Sequence, residues 1–151
     1  MAKIARTITA TLPTYQTTRE QWRREIYQRV SDAARSAGVK YDRDDRFEVV
    51  VLLYLNKGKQ YKEHDLDNLI KDVFDSLQGF LYDKGRGGLP KIIPNDNQIC
   101  RLLVEKQPTP KRFRPGASDA GGKLLIRPYQ QCRWPLQVIK GNRFAKQRGA
   151  L

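Results

Sequence analysis

The sequence predicts a single α+β domain in which helices pack on a small mixed β-sheet. Two observations favour this class: strand-like segments alternate with two amphipathic helical segments in the order β-α-β-α-β-β, and no internal repeat interrupts that order. The 151 residues, 39% of them hydrophobic, suffice for one compact core but not for two full domains. We assign residues 1–128 to this domain and residues 129–151 to a basic C-terminal extension.

Four segments have the composition of β-strands. Residues 3–12 alternate apolar side chains with threonines, which is typical of a strand with one solvated face. Residues 46–55 are nearly apolar on both faces and predict a central strand covered on both sides. Two further strands are predicted at about 98–106 and at 122–127.

Two segments have helical periodicity. The first follows a capping box that we predict from Thr18 and Gln21, and Gly38 is a natural stop. The second covers residues 65–77 and carries one continuous apolar stripe. The residues of that stripe are Leu66, Leu69, Ile70, Val73, Phe74 and Leu77.

The charge is strongly positive and concentrated near the C-terminus. The chain has 29 Lys and Arg against 16 Asp and Glu, and residues 106–151 hold 11 of the basic residues with Asp119 as their single acid. Such a balance predicts a polyanionic partner, with nucleic acid as the leading candidate. The alternative is a basic housekeeping protein without catalytic activity. Aromatic residues interleave with the basic ones from Arg127 to Arg148, so this tail either binds nucleic acid or is a solubilising appendage.

Several classes are disfavoured by composition. Two cysteines without a CxxC pair, together with the single histidine His64, exclude the usual zinc frameworks and a disulfide-built secreted domain. We find no apolar segment with the length of a membrane span and no signal peptide, so we expect a soluble, cytoplasmic protein that does not bind membranes.

The second helix is the most informative segment for chemistry. Winding it at about 100° per residue places Asp67, Asn68, Lys71 and Asp75 together opposite the apolar stripe, with Asp65 at the N-cap. This pattern also fits a capped helix with an ordinary solvated face, because carboxylates are favoured at helix N-termini.

A second acidic turn, Asn95-Asp96-Asn97-Gln98, opens directly into the third predicted strand. If Asp96 meets Asp65 and Asp67, the three carboxylates need a hard cation, for which Mg²⁺ is the first candidate and Mn²⁺ the second. Lys71, one turn after Asp67, would then bind a phosphate oxygen. The sequence therefore predicts Asp65, Asp67, Lys71 and Asp96 as catalytic residues.

These motifs resemble those of a known family. Residues 64–71 (HDLDNLIK), continued by residues 74–77 (FDSL), resemble the D-x-D-N-L-x-K…D-x-L signature of the RusA family of Holliday-junction resolvases. Residues 95–99 (NDNQI) resemble its second acidic motif, and the similarity covers roughly residues 45–106. Residues 121–124 (GGKL) weakly resemble the family's final strand.

The resemblance implies a function and roles for residues. It implies a Mg²⁺-dependent crossover junction endodeoxyribonuclease, of a bacterium or a phage, that nicks a four-way DNA junction as a homodimer during recombination and repair. Asp65, Asp67 and Asp96 match the metal-binding acids, and Lys71 matches the functional lysine. Two alternatives stay open: a nuclease for other branched DNA, and a basic nucleic-acid-binding protein without turnover.

The sequence departs from the family pattern at several places. Asn95 stands where the family often has an aspartate, and His64 stands where it often has an arginine. His64 either contacts a phosphate or is simply exposed. The loop from Leu81 to Pro94 is longer than expected and is rich in glycine and basic residues, so it either contacts DNA or is solvated.

Overall fold

The computed structural model describes residues 6–15, 18–56, 62, 64–81, 89–114 and 117–130. The elements follow the predicted order. Strand β1 is Ile8–Thr11, helix α1 is Arg19–Ala37, strand β2 is Phe47–Leu55, helix α2 is Leu66–Leu77, strand β3 is Ile99–Pro108 and strand β4 is Gly122–Pro128. A 3-10 turn, Asp96–Gln98, precedes β3. Within this part of the chain, neither helix has the length and apolar character needed to cross a bilayer.

The four strands form one mixed sheet in the order β1-β4-β2-β3. β2 and β3 are parallel, and α2 lies between them along the chain. β4 is antiparallel to both of its neighbours and enters the sheet between β1 and β2. The structure thus confirms a small α+β domain with a mixed sheet and two helices, and with β2 at a central position.

A single core joins one face of the sheet to both helices. Alternate β2 residues, from Phe47 through Val51 to Leu55, are buried together with Trp22 of α1 and Val73 of α2. The stripe predicted for α2 is therefore the face that packs on the sheet. Helix packing of this kind stabilises an amphipathic helix more than its intrinsic propensity does.

On the opposite face of β2, Glu48 and Tyr54 are buried, and Val50 and Leu52 are partly buried. The described residues place no helix there. Instead, Phe113 contacts the ring of Tyr54 at 5.4 Å between centroids, and Tyr129 stacks on the guanidinium of Arg101 at 5.1 Å. Glu48 lies on this face and pairs with arginines of both neighbouring strands. Apolar composition alone did not reveal that side chains from loops cover this face.

The ends of α1 confirm one predicted signal and contradict another. Gly38 adopts φ of 67°, a left-handed conformation that glycine reaches without strain, and its N–H bonds to the last turn. Thr18 is the N-cap residue as predicted, but its side chain makes no capping hydrogen bond. The predicted capping box of Thr18 and Gln21 was wrong, because a residue at the right position satisfies the helix end only when its rotamer points to the free N–H groups.

Two adjacent glycines fit β4 into the sheet. A Cβ atom on Gly121 would lie 2.2 Å from the carbonyl of Pro13, and one on Gly122 would lie 1.9 Å from the carbonyl oxygen of Leu52. Gly122 also has φ of 123°. Only glycine allows the backbone to approach two other segments so closely. Of the basic extension predicted for residues 129–151, residues 131–151 lie outside the described part of the chain.

Candidate active site

The structure places the polar face of α2 in solvent. Asp65 is the N-cap residue, with its backbone carbonyl accepting the N–H of Leu69 at 3.2 Å, and its side chain makes no capping bond. Asp67, Asn68 and Lys71 are exposed, on the side of the helix away from the buried stripe. Among the described residues, the Asp67 carboxylate accepts only the neighbouring backbone N–H of Asn68, at 3.0 Å. Of the predicted cluster, Asp67, Asn68 and Lys71 are exposed together, whereas Asp75 is half-buried and lies 3.2 Å from the buried Arg23.

The turn that carries Asp96 is fixed by its two neighbouring polar residues. The Asn95 side chain accepts the backbone N–H of Asn97 at 3.0 Å, which starts the 3-10 turn. The buried Gln98 side chain donates to the backbone carbonyls of Asp42 and Asp45, at 2.9 and 2.7 Å. Asp96 itself stays exposed between them. Gln98 therefore attaches the acidic turn to the loop that precedes β2.

Asp75 connects α2 electrostatically with the acidic turn. Burial raises the pKa of Asp75 above its usual range, and the negative charges of Asp72 and Asp96 raise this pKa further, whereas the cations Arg23 and Lys71 lower it. Charges influence a pKa in this way only over short distances. Asp96 and Lys71 therefore lie close enough to Asp75 for their charges to affect its carboxyl group.

The three predicted metal ligands share one electrostatic property. Asp65, Asp67 and Asp96 are exposed and have no cationic side-chain partner among the described residues. Other acids of this basic chain do have such partners, as Asp45 does in Arg6 at 2.6 Å. Within the described ranges, however, no three His, Cys, Asp or Glu side chains come together as a group that could hold a metal ion.

The donor chemistry of these residues fits Mg²⁺ or Mn²⁺. All three offer carboxylate oxygens, which hard divalent cations prefer. Mg²⁺ is commonly bound through one or two carboxylates, with water and substrate phosphate completing its coordination. A site of that type does not need three protein ligands gathered in advance. In such a site Asp65 and Asp67, two positions apart at the start of α2, would supply the first carboxylates, and Asp96 would supply the next.

A buried ionic cluster behind this surface was not predicted. Arg23 donates to Asp72 with an N–O distance of 2.6 Å and lies 3.2 Å from a carboxylate oxygen of Asp75. Arg19 contacts Asp72 from the solvent side at 2.8 Å. The side chains of Arg23 and Asp72 are only 2% and 5% exposed, so this pairing fixes α1 against α2. The signal in the sequence was the spacing of Leu69, Asp72 and Ser76, which continues a buried helical face.

The segment before α2 is also anchored. The ammonium group of Lys106, on β3, donates a hydrogen bond to the backbone carbonyl of His64 at 2.9 Å. The His64 ring is half-buried against Tyr15, with 4.5 Å between the ring centroids. His64 is thus not simply exposed, and its contact with a phosphate stays a prediction. The basic loop residues Lys84 and Arg86 lie outside the described residues.

Among known proteins, no family model matches this chain and no curated protein is significantly similar to it. The resemblance to RusA-type resolvases therefore rests on the motif residues themselves. Those residues lie on the exposed face of α2 and in the turn before β3.

Proposed function

We propose that this protein is a metal-dependent endonuclease that cuts branched DNA, acting on Holliday junctions as a homodimer in DNA recombination and repair. The observation that carries the proposal is the motif set on α2 and the turn before β3. Its three carboxylates are solvent-exposed and have no cationic partner within the described residues, in a chain with a net charge of +13. The cost of keeping such acids near DNA is offset if they bind a cation.

In this proposal Asp65, Asp67 and Asp96 hold Mg²⁺ or Mn²⁺. When bound, the ion lowers the pKa of a water molecule and neutralises charge on the phosphodiester. The hydrolytic step forms a bond from the water oxygen to phosphorus and breaks one bridging P–O bond, and the leaving oxygen takes a proton. Lys71 contacts a non-bridging oxygen and stabilises the negative charge that grows there in the transition state.

The other features of the chain fit this role. Basic residues outside the site neutralise neighbouring phosphates and contribute most of the affinity, which depends on salt. A two-fold dimer would present two sites to symmetry-related strands, as resolution of a four-way junction requires. A protein that only bound DNA would gain nothing from unpaired carboxylates beside the phosphates, because they weaken binding.

The experiment is a cleavage assay with four substrates of matched sequence: a four-way junction, a flap, a fork and a linear duplex. Each is incubated with the full-length protein in Mg²⁺, in Mn²⁺ and in EDTA. We expect paired nicks in the junction only when a divalent ion is present. Cleavage of flaps in preference to junctions would shift the assignment to another branched substrate, and no cleavage of any substrate with either ion would contradict it.

The dimer is tested separately by sedimentation at the concentrations used for cleavage. A sedimenting species of about twice the 17.5 kDa chain mass is expected. A monomer that still makes paired nicks would show that the two cuts do not need a preformed two-fold pair of sites.

A further inference from the structure

A cavity of about 300 Å³ lies beside the exposed acidic face of α2. It is bounded by the segment after β1, the first turn of α1, the segment before α2 and the first turns of α2. Its walls combine two aromatic rings, an amide, a guanidinium, a leucine and a buried carboxylate. These belong to Tyr15, His64, Asn68, Arg19, Leu69 and Asp72.

The aromatic part of the wall is held in place. Tyr15 contacts His64 at 4.5 Å and meets Trp22 edge-on at 4.9 Å. Trp22 is buried and donates from its indole N–H to the carbonyl of Pro13 at 3.2 Å. The rings therefore form a supported wall and not a mobile pair.

The polar part of the wall has little net charge of its own. Asp72, the one acid that lines the cavity, is neutralised by Arg23 at 2.6 Å and by Arg19 at 2.8 Å. Almost half of the Arg19 side chain, 46%, is still accessible to solvent. Asn68 adds an amide, which both donates and accepts hydrogen bonds. Aromatic rings next to a planar guanidinium and an amide form the kind of lining that binds an uncharged planar group with polar edges.

A nucleobase has this chemistry. Its faces stack on aromatic side chains and guanidinium planes, and its edges carry donors and acceptors. The volume lies at the lower end of the roughly 300–1,000 Å³ range of small-molecule sites, so it suits one base and not a longer fragment. Asn68 follows Asp67 directly in the chain, so a base in this cavity belongs to a nucleotide close to the phosphate at the acidic face.

We propose that the cavity between Tyr15, His64 and Asn68 binds a single unstacked base of the DNA. This base belongs to a nucleotide next to the phosphate that is cut. This rests on the proposed nuclease function and adds a source of substrate selection. Taking a base out of an intact duplex costs a few kcal/mol, whereas bases at a branch point or in a single strand are already unstacked. The cavity would thus favour branched over linear DNA without reading a sequence of base pairs.

The experiment measures binding without cleavage, in EDTA, using the full-length protein and a fluorescently labelled fork. An abasic nucleotide, which keeps its phosphate, is placed in turn at each position near the branch. We expect one position at which the missing base weakens wild-type binding by about ten- to a hundredfold, the range that stacking of one base contributes. Tyr15→Leu should weaken binding of the intact fork by a similar factor. An abasic nucleotide at that position should then cause no further loss of binding by this variant.

Control variants separate base binding from stability. Tyr15→Phe keeps the ring and should bind like the wild type. Tyr27→Leu removes a tyrosine from a different part of α1, where its hydroxyl donates to the carbonyl of Pro90, and should also bind like the wild type. If Tyr15→Leu does not fold, His64→Ala is measured in its place, and the same loss of binding and of abasic sensitivity is expected.

Each outcome decides the proposal. Equal abasic effects in wild type and Tyr15→Leu, or wild-type binding by a folded Tyr15→Leu variant, would overturn the base site. If cleavage is intact while no abasic position matters, only the base site fails. If the abasic effect is present while no divalent ion supports cleavage, only the nuclease function fails. A protein that binds none of these DNAs contradicts both.

Discussion

Arg23 and Asp72 form an ion pair with an N–O distance of 2.6 Å, and both side chains are almost completely buried between α1 and α2. The Arg23 Nε makes a second hydrogen bond to the same carboxylate oxygen of Asp72, at 2.9 Å. It also supports the surface above it, because Asp75, Lys71 and Asn68 belong to the helix that Asp72 fixes. The orientation of α2 therefore depends on charges that the solvent-exposed motif does not include.

We expect Asp72→Asn to destabilise the fold by about 3 kcal/mol, because removing one partner of a buried pair leaves the other charge uncompensated. Asp75 stays beside Arg23, so the loss should not exceed this. Chemical denaturation measures it. The double variant Arg23→Met/Asp72→Leu removes both charges but also takes Arg23 away from Asp75, so it should recover part of the lost stability. A single variant as stable as the wild type would show that the pair contributes no net stabilisation.

Asp67→Asn should abolish cleavage and leave the fold intact, because the side chain is exposed and bonds only to the next backbone N–H. The change also removes one negative charge near DNA, so junction binding should be unchanged or tighter. The assay compares nicking rates with binding in EDTA. Asp44→Asn, which changes another exposed acid, is the matched control and should cleave normally. Wild-type nicking by the Asp67 variant would remove Asp67 from the site.

Lys71→Ala should reduce the cleavage rate at saturating DNA more than it weakens binding, since we assign this lysine to charge that develops in the transition state. Single-turnover rates and binding constants give the two effects separately. Lys40→Ala removes an exposed lysine elsewhere and should change neither quantity strongly. Equal losses in rate and affinity would make Lys71 an ordinary phosphate contact.

Gln98→Leu should loosen the turn that carries Asp96, because it removes two hydrogen bonds to the carbonyls of Asp42 and Asp45. Because each hydrogen bond contributes about 0.5–1.5 kcal/mol, the loss of both should cost about 1–3 kcal/mol of stability. Under conditions in which the variant is fully folded, we expect it to need more Mg²⁺ for half-maximal cleavage. An unchanged Mg²⁺ requirement would limit Gln98 to a role in stability.

The Glu48 carboxylate should make the stability of the sheet depend on pH. A hydrogen bond from Arg127, with added attraction from Arg127 and Arg101, holds the pKa of Glu48 below its usual range, although burial opposes this. An acid with a lowered folded-state pKa contributes stability above its unfolded-state pKa and loses it as the pH falls through the folded-state value. Glu48→Gln should therefore cost about 1 kcal/mol at pH 7, since the arginines are partly exposed.

The difference between this variant and the wild type should disappear in acid. Unfolding measured from pH 7 down to pH 3 tests the sign of the effect. A variant that becomes relatively less stable as the pH falls would contradict the assignment of the shift to Arg127.

Most of the fold could be predicted because its elements have strong periodic patterns. The stripe of α2 and the apolar run of β2 located those elements to within one residue, and Gly38 ended α1 as expected. The Thr18 side chain did not cap α1, because side-chain rotamers depend on surroundings that no local pattern contains. The partners of the β2 face opposite the helices, Phe113 and Tyr129, come from distant loops for the same reason.

The candidate site was predicted only in its surface residues. The spacing of Asp65, Asp67 and Lys71 is a local property of one helix, so it could be read directly. The cluster of Arg23 with Asp72 joins two helices that are far apart in sequence, and a charged residue in a buried stripe has no identifiable partner until the helices are docked. The cavity at Tyr15 and His64 likewise forms only when parts of the chain that are far apart in sequence meet.

The position of β4 has a consequence for how the chain is made. Among the described strands β4 comes latest in the chain, yet it pairs with β1 on one side and β2 on the other, with Ile8 opposite Ile126 and Val50 opposite Leu125. Before β4 joins the sheet, β1 and β2 each lack the strand partner that β4 provides. Nascent chains at this stage expose two strand edges that other chains can pair with. We expect a chain truncated before residue 122 to aggregate more readily than the full-length chain, and a chain that includes β4 to lose that vulnerability.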